Sequence, residues 1–240
     1  MIKKFLLFIL VVLGYIIFIL FPSNDLSSDG FYESDDKLWA HRVNNLKDIK
    51  PFSKEFKGFE LDVFYNINLN QFNVKYYGSI SDNITLDEYF NNCKDYTLKY
   101  WIDFKNLDEN NVNDAIILLD SLSIKYSLKN DIIVESKNIE LLSKFKQNDF
   151  SICYWLPSFN LIRSFYQIHE IKANLLKFKP HVISMPYSSV AYYSIKFPNY
   201  PIHCWTNDMT SQSDKVKIQK LSKNDNLRVI LTDFKYNFLK

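Results

Sequence analysis

The sequence predicts an α/β protein, a closed (β/α)8 barrel of the TIM type preceded by an N-terminal transmembrane anchor. Three observations lead to this fold class. The chain contains eight short apolar runs of strand length, the segments between them have helical periodicity, and charged residues stand near the ends of successive runs. Alternating strands and helices favour a parallel sheet, and a count of eight favours closure into a barrel.

The N-terminal segment, residues 1–22, has the pattern of a membrane anchor or signal segment. Lys3 and Lys4 precede an uncharged run from Phe5 to Phe21, near the short end of the about 20 residues that a spanning helix needs. Because no small-residue cleavage site precedes Pro22, an uncleaved anchor is preferred. The lysine pair predicts that the following domain lies outside the cytoplasm, in the cell envelope or a lumen. If the N-terminal segment is cleaved, the domain is expected to be secreted.

Residues 23–36 form an acidic, polar stretch that predicts a flexible linker, and residues 37–240 suffice for one domain. The net charge of +2 and the dispersed lysines give no basic stripe, so a nucleic-acid partner is not expected. The three cysteines form no C-x-x-C pair, which argues against a zinc site and leaves a disulfide open.

The elements of the domain follow from the order of apolar runs and periodic segments. The predicted strands are residues 38–43, 59–65, 100–105, 131–136, 150–155, 181–185, 201–205 and 227–232. The predicted helices are residues 111–126, 139–145, 158–178, 188–195 and 213–221. Residues 111–126 have apolar side chains at i, i+3 and i+4 spacing, and Ser158 is a candidate N-cap of the longest helix. A short strand over residues 72–77 is expected as an insertion.

Ionisable residues stand near the ends of the first three runs. His41 and Arg42 close the first run. Residues i and i+2 of a strand point to the same side. Glu60 and Asp62 therefore share one face of the second strand, and Asp103 and Lys105 share one face at the end of the third strand. Burying such groups is costly unless they meet partners, and a hard cation with an anionic substrate would satisfy them together.

The order of these motifs resembles that of the phospholipase C-like phosphodiesterases, in particular the glycerophosphodiester phosphodiesterases and the sphingomyelinase D-like enzymes. The motifs that carry the resemblance are His41-Arg42-Val43-Asn44, Glu60-Leu61-Asp62, Asp103-Phe104-Lys105, Trp205-Thr206 and Thr232-Asp233. Each is short, and their order along the chain makes the resemblance specific. It spans the whole domain.

The resemblance implies a role for each matched residue. Glu60, Asp62 and Asp103 would bind a divalent metal, Mg²⁺ or Ca²⁺. Arg42 and Lys105 would act in catalysis by holding the phosphate oxygens, and His41 would be the general acid or base. The residues expected to contact substrate are Arg42, Lys105, Glu135, Trp155 and Trp205. For Glu135 the preferred interpretation is a solvated carboxylate at the rim of the barrel, with substrate contact as the alternative.

One departure from the family pattern concerns the second histidine, which the family carries shortly after the E-x-D motif. The corresponding positions here are Tyr76 or Tyr77, depending on the alignment. A tyrosine is a poor base at neutral pH but can donate a proton to a leaving group. Of the other histidines, His203 is the candidate to reach the barrel mouth.

The predicted function is therefore metal-dependent hydrolysis of a phosphodiester, such as a glycerophosphodiester, a lipid head group or a glycan head group. The alternative is a catalytically impaired barrel that binds a phosphorylated lipid or a surface polymer. A third interpretation, a glycosidase that uses Glu60 and Glu135, does not explain the order of the motifs. The expected partners are the phosphodiester and, through the N-terminal helix, the membrane.

Overall fold

The computed structural model describes residues 2–28, 30, 36–75, 84–160, 164–206 and 212–233. Eight parallel strands form a closed barrel in the order β1, β2, β5, β6, β7, β8, β9, β10, and β1 pairs with both β2 and β10. The strands are β1 Leu38–Ala40, β2 Gly58–Asn66, β5 Lys99–Phe104, β6 Ile132–Ser136, β7 Ser151–Trp155, β8 Val182–Pro186, β9 Ile202–Trp205 and β10 Leu227–Thr232. The TIM-type fold class is thus confirmed.

A short antiparallel extension follows β2. It consists of β3 Gln71–Val74, which pairs with the upper part of β2, and β4 Ile84–Thr85, which pairs with β3. The helices are α1 Ile2–Leu20, α2 Leu46–Phe52, α3 Leu86–Cys93, α4 Val112–Lys125, α5 Ile139–Gln147, α6 Ser164–Phe178, α7 Val190–Lys196 and α8 Gln212–Leu221. Each strand-to-helix connection therefore leaves the same end of the barrel, and the charged residues identified in the sequence meet there.

All eight predicted barrel strands are present, and the differences lie at element ends. The first strand ends at Ala40 because the backbone of Arg42 is left-handed, with φ of 54°. The predicted N-cap Ser158 is wrong, since residues 156–160 are not helical and α6 begins at Ser164. Helices α2 and α3 were not predicted, although Thr85 caps α3 by accepting a hydrogen bond from the Glu88 amide at 3.1 Å.

The N-terminal helix α1 packs against α6 and α7. The buried Lys196 of α7 donates its ammonium to the carbonyl oxygens of Phe18 and Phe21, which satisfies groups that the end of α1 leaves open. Just beyond, the Ser23 amide donates to the Lys196 carbonyl at 2.8 Å, and Leu26 is buried in the core.

Within the described residues, no helix combines the length and the apolar character needed to cross a bilayer.

The interior of the barrel is filled by side chains below the mouth. The group consists of Trp39, Trp101, Ile133, Cys153, Val182, Val229 and Leu231. Trp39 lies so close to Gly58 that a Cβ at position 58 would be 2.0 Å from the indole, so only glycine fits at the start of β2. Cys93, Cys153 and Cys204 are all buried free thiols. The packed interior leaves the open end of the barrel as the place for a ligand.

Candidate active site at the barrel mouth

A cavity of about 560 Å³ opens at the C-terminal ends of the barrel strands. Its described lining consists of His41, Arg42, Glu60, Asp62, Asp103, Phe104, Lys105, Leu107, Glu135, Ser136, Lys137, Asn138, Trp155, Trp205 and Leu231. Nine of the eleven residues proposed from the sequence as catalytic, metal-binding or substrate-binding are in this lining. The other two, Tyr76 and Tyr77, lie outside the described residues.

Three carboxylates converge on one side of the cavity. Glu60, Asp62 and Asp103 each offer an oxygen atom, and these atoms lie within 4.8 Å of one another. The side chains of Glu60 and Asp62 project from β2, and that of Asp103 from the neighbouring β5, where it is the register partner of Asp62. Burial raises the pKa of Glu60, and the charges of Asp62 and Asp103 raise it further. The crowding of like charges indicates a place where a cation is favoured.

Backbone and amide donors hold two of these carboxylates in position. The Arg42 amide donates to Oε2 of Glu60 at 2.7 Å, an alignment that accompanies the left-handed backbone of Arg42. Asn44 binds Asp62 in both directions: its Nδ2 donates to Oδ2 at 2.8 Å, and its Oδ1 accepts from the Asp62 amide at 3.0 Å. The segment after β1 therefore orients the carboxylates of Glu60 and Asp62 on β2.

Lys105 bridges two of the carboxylates. Its ammonium lies 2.6 Å from Oδ1 of Asp62 and also pairs with Asp103. Burial opposes the charged form of Lys105, but Asp103, Asp62 and Glu60 together raise its pKa above the usual value. The raised pKa favours the charged form of Lys105 beside the carboxylates, and 27% of its side chain is exposed.

His41 lies between two acidic groups. Its Nδ1 is 3.1 Å from Oδ1 of Asp233, the residue that follows β10, and its Nε2 is 3.9 Å from Oε2 of Glu60. A Nδ1–H that donates to Asp233 leaves the Nε2 lone pair directed at the carboxylate cluster. Closure of the barrel between β1 and β10 creates this pair, which a short-range sequence pattern does not reveal.

Glu135 is buried, so its interpretation as a solvated rim carboxylate is wrong. Its Oε2 accepts a hydrogen bond from the Trp101 indole at 2.9 Å, and its Oε1 accepts one from the Ser184 hydroxyl. Burial raises the pKa of Glu135 to about 8, with a further contribution from Asp103. The side chain forms the floor of the cavity and links the site to the packed interior.

Aromatic side chains form the wall opposite the carboxylates. The rings of Trp155, at the end of β7, and Trp205, at the end of β9, are stacked with centroids 5.7 Å apart and an interplanar angle of 15°. The ammonium of Lys137, which follows β6, lies 4.3 Å from the centroid of the Trp155 ring. Lys137 was not proposed from the sequence, where it has no motif around it.

The extension after β2 carries one further cation, Lys75, next to the strand that holds Asp62. Lys75 follows β3, and its amide donates to the Asp62 carbonyl at 3.1 Å, which places it across from Asp62. Its ammonium lies 5.0 Å from the centroid of the Phe64 ring. The motif resemblance assigns Tyr76 or Tyr77 to the position of the family's second histidine, and both lie outside the described residues.

The remaining histidines lie elsewhere. His203 is fully buried against the rings of Trp39 and Trp101, with centroid distances of 6.4 Å and 4.9 Å. The expectation that it reaches the mouth is wrong, since it lies beneath the cavity floor. His181 accepts a hydrogen bond from the Ile152 amide at 3.1 Å near the start of β8, and His169 is on α6. His41 is therefore the one histidine in the described lining.

The donor set of the three carboxylates fits a divalent cation. Hard oxygen ligands in a partly buried, mutually repelling cluster suit Mg²⁺ or Ca²⁺, which keep water molecules at the remaining positions. No thiol or imidazole belongs to the cluster among the described residues, which argues against a zinc-type site.

Comparison with solved structures identifies proteins with the same fold, whereas comparison of sequences finds none. No family model matches the chain, and no curated protein matches it in sequence. A glycerophosphodiester phosphodiesterase from Parabacteroides distasonis is similar in structure, with a TM-score of 0.65 and 15% identity over 86% of this chain and 96% of that one. The chain thus has the barrel fold found in glycerophosphodiester phosphodiesterases, which confirms the suspected structural resemblance.

Two further structures show the range of this fold. A phosphodiesterase from Oleispira antarctica, in complex with the product sn-glycerol-3-phosphate, has a TM-score of 0.61 and 14% identity over 85% of this chain and 95% of that one. A glycerol uptake operon antiterminator regulatory protein from Listeria monocytogenes has a TM-score of 0.56 and 14% identity over 86% of this chain and 97% of that one. Because a regulatory protein shares the fold, function must be argued from the site.

Proposed function

We propose that this protein is a metal-dependent phosphodiester hydrolase. The observation that carries the proposal is the convergence of Glu60, Asp62 and Asp103 within 4.8 Å, next to the paired His41 and in an open cavity. Three carboxylates, a histidine held by an aspartate and two cations form a set suited to an anionic phosphorus centre. The barrel fold shared with phosphodiesterases supports the same class of reaction.

In this mechanism, the substrate phosphate lies between the carboxylate cluster and the basic side chains. A divalent cation held by Glu60, Asp62 and Asp103 would offset negative charge on the phosphate oxygens. Lys105 and the exposed side chain of Arg42 bind the same oxygens and orient the ester. Asn44 and the Arg42 amide keep the carboxylates aligned while the substrate enters.

His41 transfers the proton. Its Nε2 accepts a proton of the attacking water as the new P–O bond forms, and Asp233 stabilises the resulting imidazolium through Nδ1. The P–O bond to the departing group then breaks, and the departing oxygen needs a proton or a positive charge. We assign this donor to Lys75, whose amide binds the Asp62 carbonyl. Tyr76 and Tyr77 are the alternative donors.

The test is a survey of phosphodiesters with the purified full chain. Glycerophosphodiesters, lysophospholipids and a glycan phosphodiester would be incubated with Mg²⁺, with Ca²⁺ or with EDTA, and products followed by phosphorus NMR. Turnover that requires metal and disappears in His41→Ala is expected. Turnover that survives either EDTA or the substitution contradicts the proposal.

A second candidate function is binding of a phosphorylated lipid or polymer without efficient turnover. The observation that favours it is the presence of a single histidine, His41, in the described lining. In that case none of the diesters is hydrolysed, while metal and a phosphodiester together raise the melting temperature of the chain. Introducing histidine by Lys75→His, Tyr76→His or Tyr77→His would then create turnover.

Attachment to the membrane and a location outside the cytoplasm are separate proposals. Phe5, Phe8 and Val11 of α1 are 64–65% exposed, which supports contact of this helix with a membrane. Lys3 and Lys4 before the apolar segment are the pattern that motivates the proposed location of the domain. Protease treatment of intact cells and of lysed cells tests the location. Digestion of the domain in both samples supports a location outside the cytoplasm. Protection of the domain from the protease in intact cells contradicts that location.

A further inference from the structure

The cavity has two chemically different sides. The carboxylates and His41 come from β1, β2 and β5, whereas Trp155 and Trp205 come from β7 and β9 on the far side of the barrel. Lys137, after β6, lies at the edge between the two sides. A phosphodiester centred on the carboxylates would therefore extend one of its two ester groups toward the tryptophans. We call Lys137, Trp155 and Trp205 the aromatic shelf.

The shelf already contains its own cation. The ammonium of Lys137 lies 4.3 Å from the Trp155 ring centroid, and the Trp205 ring is stacked on Trp155 at 5.7 Å. Aromatic faces attract cations, and sites for quaternary ammonium groups use that attraction. Here a second cation on Trp155 would meet the positive charge of Lys137 at short range. The shelf is thus poorly suited to a choline head group.

The same groups suit a ring that carries hydroxyl groups. The C–H face of such a ring carries partial positive charge and packs on the negative face of an indole. The ammonium of the exposed Lys137 has three N–H donors, for which the hydroxyl groups and ester oxygens of a ligand are suitable acceptors. Trp155, Trp205 and Lys137 all line the cavity, and the two rings are partly exposed to it.

We propose that the aromatic shelf binds a polyol ring, a hexose or an inositol, as the head group of the phosphodiester, and selects it over choline. The inference rests on the proposed function and specifies the substrate class of the same site. Lys137 donates to the hydroxyl oxygens of the ring, and Trp155 and Trp205 contact its C–H face. None of the three takes part in proton transfer.

The test compares two diesters that differ only in head group, glycerophosphoinositol and glycerophosphocholine. The ratio of their kcat/KM values would be measured for the full chain, Lys137→Glu, Lys137→Met and Trp155→Ala. The wild-type ratio is expected to favour inositol, and Lys137→Glu should shift it toward choline by about tenfold or more, since it replaces repulsion by attraction. Lys94→Glu is the control, because exposed Lys94 precedes β5 at the opposite end of the barrel.

A ratio that favours choline in the wild type, or one that Lys137→Glu leaves unchanged, overturns the proposal. Hydrolysis of bis(p-nitrophenyl) phosphate, which carries neither head group, reports on the proposed function independently. If no diester is hydrolysed, the shelf is tested by tryptophan fluorescence with the same two compounds. Saturable binding of glycerophosphoinositol that Trp155→Ala abolishes supports it, whereas equal or tighter binding of glycerophosphocholine overturns it.

Discussion

Nδ1 of His41 lies 3.1 Å from Oδ1 of Asp233, so the residue after the first barrel strand meets the residue after the last. The contact forms only when β10 closes on β1, where Ala40 and Thr232 are register partners. It fixes which imidazole nitrogen faces the carboxylate cluster. In the proposed mechanism, the orientation of His41 for proton transfer therefore depends on closure of the barrel.

Asp233→Ala tests Asp233 as a positioning residue for His41. Loss of the carboxylate frees the imidazole to rotate and removes the stabilisation of its protonated form, so kcat should fall by about 10- to 100-fold. KM should change little, because Asp233 is placed behind the histidine. Asp233→Glu should recover part of the rate, and equal kcat for the wild type and the alanine variant would exclude the role.

Asn44→Ala tests the support of Asp62. The substitution removes both hydrogen bonds, at 2.8 Å and 3.0 Å, that orient the carboxylate. Affinity for Mg²⁺ or Ca²⁺ should fall by about 10- to 100-fold, as is typical for groups that orient metal ligands. Isothermal titration calorimetry gives the affinity, and Asn91→Ala, at an exposed position of α3, is the control. Equal affinities in Asn44→Ala and the wild type would contradict the assignment.

Lys75→Met tests the cation across from Asp62. The rate of phosphodiester hydrolysis should fall by about 10- to 100-fold, because the departing oxygen loses a donor. Metal affinity should be nearly unchanged, since Lys75 contributes no ligand atom. Lys94→Met, with the same chemical change at the opposite end of the barrel, should retain the full rate. A full rate in Lys75→Met would leave Tyr76 and Tyr77 as the candidates.

His203 makes the stability of the fold depend on pH. Burial lowers the pKa of His203 from 6.5 to about 3, so the folded chain excludes the proton that the unfolded chain binds. This contribution to the free energy of unfolding is fully present above pH 6.5 and is lost as the pH falls toward 3. About 2 kcal/mol of it should be lost between pH 6.5 and pH 5.

His203→Leu removes this contribution. Urea unfolding at pH 7 and pH 5, followed by tryptophan fluorescence, should show a smaller loss of stability in the variant than in the wild type. The physical reason is that burial of His203 against the rings of Trp39 and Trp101 disfavours the charged imidazolium. Equal pH dependence in the two proteins would contradict a neutral, buried His203.

The sequence patterns predicted the barrel because each strand is a local apolar run, and parallel strands bring their ends to one mouth. The convergence of strand ends was enough to predict that His41, Glu60 and Asp103 lie at the same mouth. Helix α3 could also have been found, since Thr85 and Glu88 have the spacing of a capping box. The left-handed backbone at Arg42, which shortens the first strand, has no comparable local signal.

The partners of the site residues were harder to predict, because they come from distant parts of the chain. Asn44 binds Asp62, and Glu135 accepts from Ser184, only once the register between strands is set. The contact of Lys137 with Trp155 likewise depends on the adjacency of β6 and β7. Short motifs identified the residues of the candidate site, whereas the fold determines which side chains hold those residues in place.

The most direct measurement combines metal titration and phosphodiester turnover on the same samples of wild type and Glu60→Gln/Asp62→Asn. One divalent cation should bind per wild-type chain, with turnover rising in proportion to occupancy, and the double variant should lose both. Asp95→Asn/Asp225→Asn, at exposed positions that precede β5 and β10, is the matched control. Metal-independent turnover, or turnover that persists in Glu60→Gln/Asp62→Asn, would contradict a metal site at the barrel mouth.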